Sequence, residues 1–464
     1  MTAVLQAPVV ATRRWLSLFA ILAATLMNLL DASVVSVAAP AIQGDLGGGY
    51  TAIQWIAASY TLAIAVGLLA GGRLGDLYGR KPMMRWGIVG FLVASVACAV
   101  APSAEALIGA RALQGLAAAV MIPQGFGLLR DLFGAALGKA FMIFGPAIGL
   151  STVLGPVVAG ALVDADVFGT GWRMIFLINL PLGAFALIAG GRALPDPAPV
   201  ARGHRLDWRG AAVAGTGMFL LTFPLVQGRE LDWPLWTVAM LVAAVPVLGL
   251  FARQQMRATD TKLIELSVFA KRSYTSGVAF VLVFFGAICG FALTVGMLLQ
   301  LGVGQSATRA SLTMAGWAVG AFVGSGLSGG LVARLGRTVL HLGLAVMAVG
   351  IGWLYLAFHG GSTAIVAPLA VFGLGMGMIF VPLFDIIMGD VADHETGSAA
   401  AALETVQQLA ASVGVAVFGT VFFGRFTAPG THFAAIEPVT LLALALTGLA
   451  FALGFLLPKR ARQH

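Results

Sequence analysis

Three charged side chains stand in stretches that are otherwise apolar: Asp31 in Leu30-Asp-Ala-Ser-Val-Val-Ser-Val-Ala-Ala-Pro40, Arg111 in Arg111-Ala-Leu-Gln-Gly115, and Glu404 in Glu404-Thr-Val-Gln-Gln408. Burial disfavours the charged form of a carboxylate, so an acid held in hydrocarbon is one that can exchange a proton near physiological pH. Asp31 is the first candidate for that role. An arginine keeps its proton, so Arg111 acts as a fixed positive charge that favours the ionised form of a neighbouring acid. Structural alternatives exist for both: a helix-packing Asp31–Arg111 pair, or Arg111 snorkelling to a surface from near its helix start. Glu404, Gln407, Gln408 and Ala411 recur at helical spacing and form one polar stripe, which suits a cavity wall. Asp385, in Pro382-Leu-Phe-Asp385, fits either a cavity or a gate near the membrane surface. Met376, Met378, Phe380 and Phe384 could line a greasy pocket, although such residues are more often lipid-facing or core.

The densest charge runs from Gly72 to Met84, Gly-Arg-Leu-Gly-Asp-Leu-Tyr-Gly-Arg-Lys-Pro-Met-Met. Arg73, Arg80, Lys81 and Arg85 crowd there around a single anion, Asp76. The flanking apolar segments 53–70 and 83–101 are each close to the roughly 20 residues that cross a bilayer. The stretch is therefore predicted as a short membrane-surface loop, cytoplasmic by the positive-inside rule. Gly72, Gly75 and Gly79 allow close approach of helix ends and turns with positive φ.

These residues need an apolar scaffold, and the composition supplies one. A chain of 464 residues that is 59% hydrophobic and 10% charged is not soluble, because soluble domains carry about 25% charged residues. An all-α polytopic membrane protein is predicted, with mean hydropathy +0.96. The net charge of +8 does not signal nucleic acid, since the cations lie in short loops that face anionic lipid. Cys98 and Cys289 lie inside apolar segments without metal-ligand spacing, and the six His are scattered. No metal, haem, disulfide framework or enzymatic cluster is expected.

Fourteen crossings are predicted, at 15–39, 52–72, 83–101, 105–130, 138–163, 173–190, 208–228, 234–252, 273–300, 309–333, 338–357, 363–388, 398–424 and 437–457. With both termini cytoplasmic, only Arg173, Arg229, Arg309 and Arg425 of the 27 Lys and Arg fall outside, while Arg111 lies within a helix. A helix missed midway would move every later loop to the wrong side and erase that bias. Gly329-Gly-Leu-Val-Ala-Arg-Leu-Gly336-Arg337 repeats the G-x-L-x-x-x-x-G-R pattern of the first charged stretch, with Ala333 where Asp76 stands. Two six-helix bundles are therefore expected, 1–190 and 273–464, around a linker with two inserted helices at 191–272. Pro195, Pro197 and Pro199 mark the polar entry to that insert.

The pattern G-x-L-x-D-x-x-G-R-K resembles the signature loop between helices 2 and 3 of the major facilitator superfamily. That resemblance implies that Asp76, with Arg80 and Arg130 as partners, locks the cytoplasmic side shut in the outward-facing state. The segment Leu30 to Pro40 resembles L-D-x-T-V-V-N-V-A-L-P of the fourteen-helix drug:proton antiporter branch, with departures at Ser33, Ser36 and Ala39. Gln54-Trp55 and Tyr60-x-Leu62 fit the same branch, and Arg111 to Gly115 resembles its R-x-x-Q-G motif. Gly145-Pro146-Ala-Ile-Gly149 precedes Gly155-Pro156-Val-Val-Ala159-Gly160, which resembles the antiporter motif G-P-x-x-G-G with Ala159 for one Gly. Small-residue packing alone would account for these glycines, so the direction of transport comes from the resemblance. It implies a proton-coupled antiporter that exports small lipophilic drugs or antibiotics by alternating access. The proton motive force drives it without a cofactor, and the chain is a monomer spanning the cytoplasmic membrane many times. Together with the polar stripe, this resemblance makes Asp31, Arg111 and Glu404 the coupling candidates, and Trp55, Tyr60, Gln114, Glu404, Gln408 and Asp385 the cavity candidates; Glu404 and Asp385 match no motif of the family. A proton-coupled symporter of another small metabolite or lipid would use the same fold; the helix 5 motif favours export.

Overall fold

A chain in hydrocarbon must satisfy its backbone polar groups internally, and long apolar runs do so as helices. The computed structural model describes residues 6–133, 155–166, 169–195, 206–228, 231–257, 263, 266–391, 396–426 and 432–459. Within them lie α1 (Gln6–Leu46), α2 (Tyr50–Tyr78), α3 (Arg80–Ala99), α4 (Ala104–Phe133), α5 (Gly155–Ala165), α6 (Gly171–Ala193) and α7 (Trp208–Gln227). After these come α8 (Leu235–Arg257), α9 (Arg272–Gly302), α10 (Ala307–Leu335), α11 (Thr338–His359), α12 (Val366–Met388), α13 (Thr396–Arg425) and α14 (His432–Gly454). Thirteen are long and apolar enough to cross a membrane; α5 is the described part of the predicted 138–163 segment.

One expectation is corrected. The Gly72–Met84 stretch is not a loop: α2 continues to Tyr78 and α3 starts at Arg80, with Gly79 alone turning the chain at φ +95°. Its glycines give the close approach and the positive-φ turn expected of them: Gly72 and Gly75 face Pro123 and Gln124 of α4, and Gly79 makes the turn. Gly71 lies directly on the Ala119 backbone of α4, and Gln124 Nε2 donates to the Gly71 carbonyl at 2.8 Å. Pro82 sits in the first turn of α3, where its missing N–H is no loss. The repeat has the same joint, because Gly336 turns the chain between α10 and α11 at φ +55°. Arg337 then donates to the carbonyls of Phe455 at 2.9 Å and Leu457 at 2.5 Å, anchoring the end of α14.

Helices α1–α4 and α6 pack together as one bundle and α9–α14 as a second, with the hairpin α7–α8 beside them. In the first, α4 packs against α2 and α3, and α1 against α6; in the second, α12 packs against α10 and α11, and α9 against α13 and α14. Asp207 caps α7 by accepting from the Gly210 amide at 2.8 Å, and Gln255 of α8 donates to its other oxygen at 2.9 Å. The hairpin is thereby closed at its base, and α7 packs on both α2 and α13.

The two bundles meet at the end that carries Tyr50. There Tyr50 stacks on Phe423 at 4.3 Å and meets Phe426 edge-on at 5.9 Å. One turn further along, Gln54 Nε2 donates to the Ala416 carbonyl at 3.5 Å, and Ser412 Oγ donates to the Ala58 carbonyl at 3.3 Å. On the opposite flank, α5 meets the start of α10: a Cβ on Gly160 would lie 2.7 Å from the Ala307 oxygen. The Asp164 carboxylate beside it accepts from the Thr308 amide at 2.8 Å. At the other end, the ion pairs of Asp76 among the described residues are to Arg73 and Arg80 of its own bundle.

Candidate functional site

The motif on α4 sets the geometry of the polar centre. Arg111 and Gln114 are three residues apart and share one face of the helix. Gly115 keeps that face close to α2, because a Cβ there would lie 2.9 Å from that of Ala63. Tyr60 of α2 is consequently laid over Arg111, with the guanidinium carbon 4.0 Å from the ring centre. The tyrosine hydroxyl donates to Asn28 Oδ1 at 2.6 Å.

Asp31 enters this group from α1, and it is fully buried together with Arg111: their side chains are 0% and 1% exposed. Arg111 Nη1 donates to Asp31 Oδ2. Gln114 Nε2 and Asn179 Nδ2, the latter from α6, both donate to Oδ1, at 2.8 and 2.9 Å. Arg111 also donates from Nη1 to Gln114 Oε1 at 2.7 Å and from Nε to the Ile56 carbonyl at 3.3 Å. Ser95 of α3 accepts from Gln114 at 2.9 Å and from Asn179 at 3.2 Å. Desolvating such a pair costs more than Coulomb attraction returns unless further hydrogen bonds complete it. Here they do: three donors, Arg111 Nη1, Gln114 Nε2 and Asn179 Nδ2, point at the two Asp31 oxygens. Chemically this is an acid beside a fixed positive charge, whose proton affinity depends on how closely that charge is held.

The remaining candidates fall in five places. Of the expected cavity residues, Tyr60 and Gln114 are buried within the Asp31 group instead, because Arg111 recruits both. Trp55 faces the hairpin: its indole N–H donates to Gln227 Oε1 at 3.1 Å, and its ring lies 5.8 Å from that of Phe223. Glu404 and Gln408 form the polar stripe on α13, half-buried, with Gln408 Nε2 donating to Glu404 at 2.9 Å and Gln407 Nε2 at 3.3 Å. Asp385 is exposed in the last turn of α12. Met376, Met378, Phe380 and Phe384 pack in the second bundle, where Phe380 meets Phe285 at 5.4 Å.

At the Asp76 end, Asp76 is 4.0 Å from Arg73 and 3.9 Å from Arg80, while Arg80 makes its shorter pair, 2.9 Å, with Asp131. Burial pushes the Asp76 carboxyl above the usual carboxylate range, and Arg80 and Arg73 pull it partly back. Lys81 donates to the Leu194 carbonyl at 2.8 Å. Gly72 packs beside Pro123 of α4. Arg130 lies in α4, and its side chain falls outside the described residues, as do Gly145, Pro146 and Gly149 of the antiporter motif. Gly155 is buried, Pro156 is half-buried, and Gly160 is pressed on α10.

Sequence reasoning missed Asn179, Ser95 and Asp131. A lone Asn in an apolar helix is itself a signal, because an amide in hydrocarbon requires partners. Ser95 and Asp131 carried none, since a serine satisfies itself on its own helix and a helix-end Asp is common.

The profile of the Major Facilitator Superfamily matches residues 21–415. Over 430 residues the chain is 49% identical to the probable actinorhodin transporter of Streptomyces coelicolor, an alignment covering 90% of this chain and 74% of the relative. The tetracenomycin C resistance and export protein of Streptomyces glaucescens is 31% identical over 417 residues, 89% of this chain and 77% of its own length. A solved D-xylose-proton symporter superposes with TM-score 0.66 at 17% identity, covering 96% of this chain and 97% of that one.

Proposed function

This chain belongs to the Major Facilitator Superfamily, and from that premise we propose that it is a proton-coupled antiporter exporting small lipophilic antibiotics or drugs by alternating access. One observation carries the proposal: the buried acid is tied to the helix that closes the seam. Arg111, the charge partner of Asp31, is held by the Ile56 carbonyl and the Tyr60 ring, both on α2. The seam contacts Tyr50, Gln54 and Ala58 occupy the same stretch of α2. Protonating Asp31 removes the charge that holds Arg111, and the relaxation of Arg111 acts directly on α2. Proton binding and seam opening are therefore coupled through one side chain.

We read the Asp76 end as cytoplasmic, following the distribution of Lys and Arg. In that orientation the bundles meet at the outer end, the arrangement an inward-facing conformation requires. Export then follows when drug enters from the cytoplasm, a proton from outside neutralises Asp31 in the outward-open form, and the cycle returns that proton inward. A membrane potential of 100 mV supplies about 2.3 kcal/mol per charge. A pH difference of one unit adds about 1.4 kcal/mol. One or two protons thus sustain a drug gradient of tens- to thousandsfold. Glu404, Gln407 and Gln408 supply a polar stripe in the second bundle for orienting substrate. The relatives' names favour export of antibiotics, as actinorhodin and tetracenomycin C are what those transporters are named for.

Proteoliposomes with an acidic lumen test the reading directly, with ethidium as fluorescent substrate. Accumulation that appears only with the pH difference, and that releases protons from the lumen as drug enters, is the expected result. Accumulation that survives an ionophore collapsing all ion gradients would overturn it.

A further inference from the structure

The carboxylate of Asp31 faces donors only: Arg111 Nη1, Gln114 Nε2 at 2.8 Å and Asn179 Nδ2 at 2.9 Å. That arrangement suits the ionised acid and leaves the protonated one without a place for its hydrogen, because a protonated carboxyl brings one O–H donor that needs an acceptor. The nearby acceptors are already engaged. Gln114 Oε1 takes Arg111 Nη1 at 2.7 Å and the Cys98 thiol at 3.6 Å, and Ser95 Oγ takes both amides. One acceptor is different: Asn179 Oδ1 is buried and has no hydrogen-bond partner. Asn179 as a whole is 0% exposed.

A primary amide rotated by half a turn about its terminal torsion exchanges oxygen for nitrogen at almost unchanged shape, and that torsion is soft. We propose that Asn179 is the positioning residue that lets Asp31 hold a proton: its Nδ2 donates to the ionised carboxylate, and after rotation its Oδ1 accepts the carboxyl O–H. The proton comes from water on one side and returns to water on the other, and no other bond changes. The titratable and charged groups facing Asp31 among the described residues are Arg111 on α4, Tyr60 on α2 and Cys98 on α3. None of these offers a free acceptor: the guanidinium only donates, the tyrosine hydroxyl points to Asn28, and the thiol points to Gln114. The inference rests on Asp31 being the proton carrier proposed above.

The test is the pH titration of the protonated-carboxyl stretching band by infrared difference spectroscopy on purified full-length protein, with Asp31→Asn identifying the band. Asn179→Leu, of similar volume, removes donor and acceptor together. The midpoint alone does not isolate the acceptor, because Asn179→Leu takes a partner from both forms of Asp31; the side-chain amide C=O stretch of Asn179 reads it directly. In the native protein that stretch moves to lower frequency as Asp31 takes up its proton, because Oδ1 passes from unpartnered to hydrogen-bonded. The difference band is absent from Asn179→Leu, and from Asn179→Ala should the leucine variant not fold. An amide stretch that stays fixed while Asp31 titrates overturns the acceptor role. A native protein with no Asp31 band at any pH would instead overturn the proton-carrier reading itself, so the two failures are distinct.

Discussion

Replacing Tyr50 with alanine should open the seam. Tyr50 belongs to the first bundle, and its ring partners Phe423 and Phe426 belong to the second, so these contacts exist only while the two ends are together. Loss of the side chain therefore falls on this conformation alone, and a population moves by that difference. The stack at 4.3 Å and the edge contact at 5.9 Å are two aromatic pairs. At about 0.5–1.5 kcal/mol each they total about 1–3 kcal/mol. Such a difference corresponds to roughly a 5- to 150-fold change in the ratio of conformations. Spin labels at Glu105→Cys, in the first turn of α4, and Thr363→Cys, on the α11–α12 turn, report the distance between the bundles at this end. Both positions are exposed; Cys98 is buried, and half-buried Cys289 is replaced by serine for the measurement. Tyr50→Ala should add a longer-distance population at the expense of the short one. An unchanged distance distribution would refute the idea that these rings hold the ends together.

The same labels test Gly160→Val, whose Cβ would lie 2.7 Å from the Ala307 oxygen and 2.8 Å from Thr308 Cα, so α5 and α10 must separate; a short-distance population that persists would show that this flank is not part of the closure. Asp76→Asn should leave melting temperature unchanged or slightly raised in this conformation, because its ion pairs are long, at 3.9 and 4.0 Å, and an acid whose carboxyl is raised by burial binds protons more tightly folded than unfolded. Its contribution to stability therefore grows as pH falls and shrinks as pH rises, and a clear drop in melting temperature at pH 8 would contradict that sign. Glu404→Gln should weaken binding of ethidium more than that of neutral aromatic compounds, since its one amide oxygen still accepts from one of Gln407 and Gln408 while the charge is lost; equal losses in both classes by direct binding would count against charge recognition.

Much of this is legible in the amino-acid sequence, and the reasons differ from residue to residue. Asp31 and Arg111 stand out because charge in hydrocarbon is costly enough to imply a partner, and each is the other's. The joint at Gly79 reappears at Gly336 because a positive φ demands glycine, so a repeat of the fold becomes a repeat of the sequence. The Gly72–Tyr78 segment misleads because charge and glycine locally spell a loop, whereas the helix is held by its packing on Ala119 and Gln124 of α4. Trp55 is a cavity candidate through the resemblance of Gln54-Trp55 to the antiporter branch, whereas its partner is Gln227, 172 residues away in the inserted hairpin. That hairpin also reaches α13, where Thr420 Oγ1 donates to the Leu225 carbonyl at 3.1 Å, so it spans the seam from outside the bundles. No local pattern encodes such a contact. Asn179 illustrates the same limit, since its role depends on which way a rotatable amide points inside a packed core.

The most direct measurement is proton movement in proteoliposomes containing a pH-sensitive dye, on addition of ethidium, with native protein and with Asp31→Asn. The substituted side chain keeps an amide oxygen that can accept from Arg111, so insertion and drug binding provide internal controls. Ethidium should move protons through the native protein and none through the variant, while both still bind the drug. Undiminished proton exchange by a folded, drug-binding Asp31→Asn protein would contradict the assignment of the coupling proton to this buried acid.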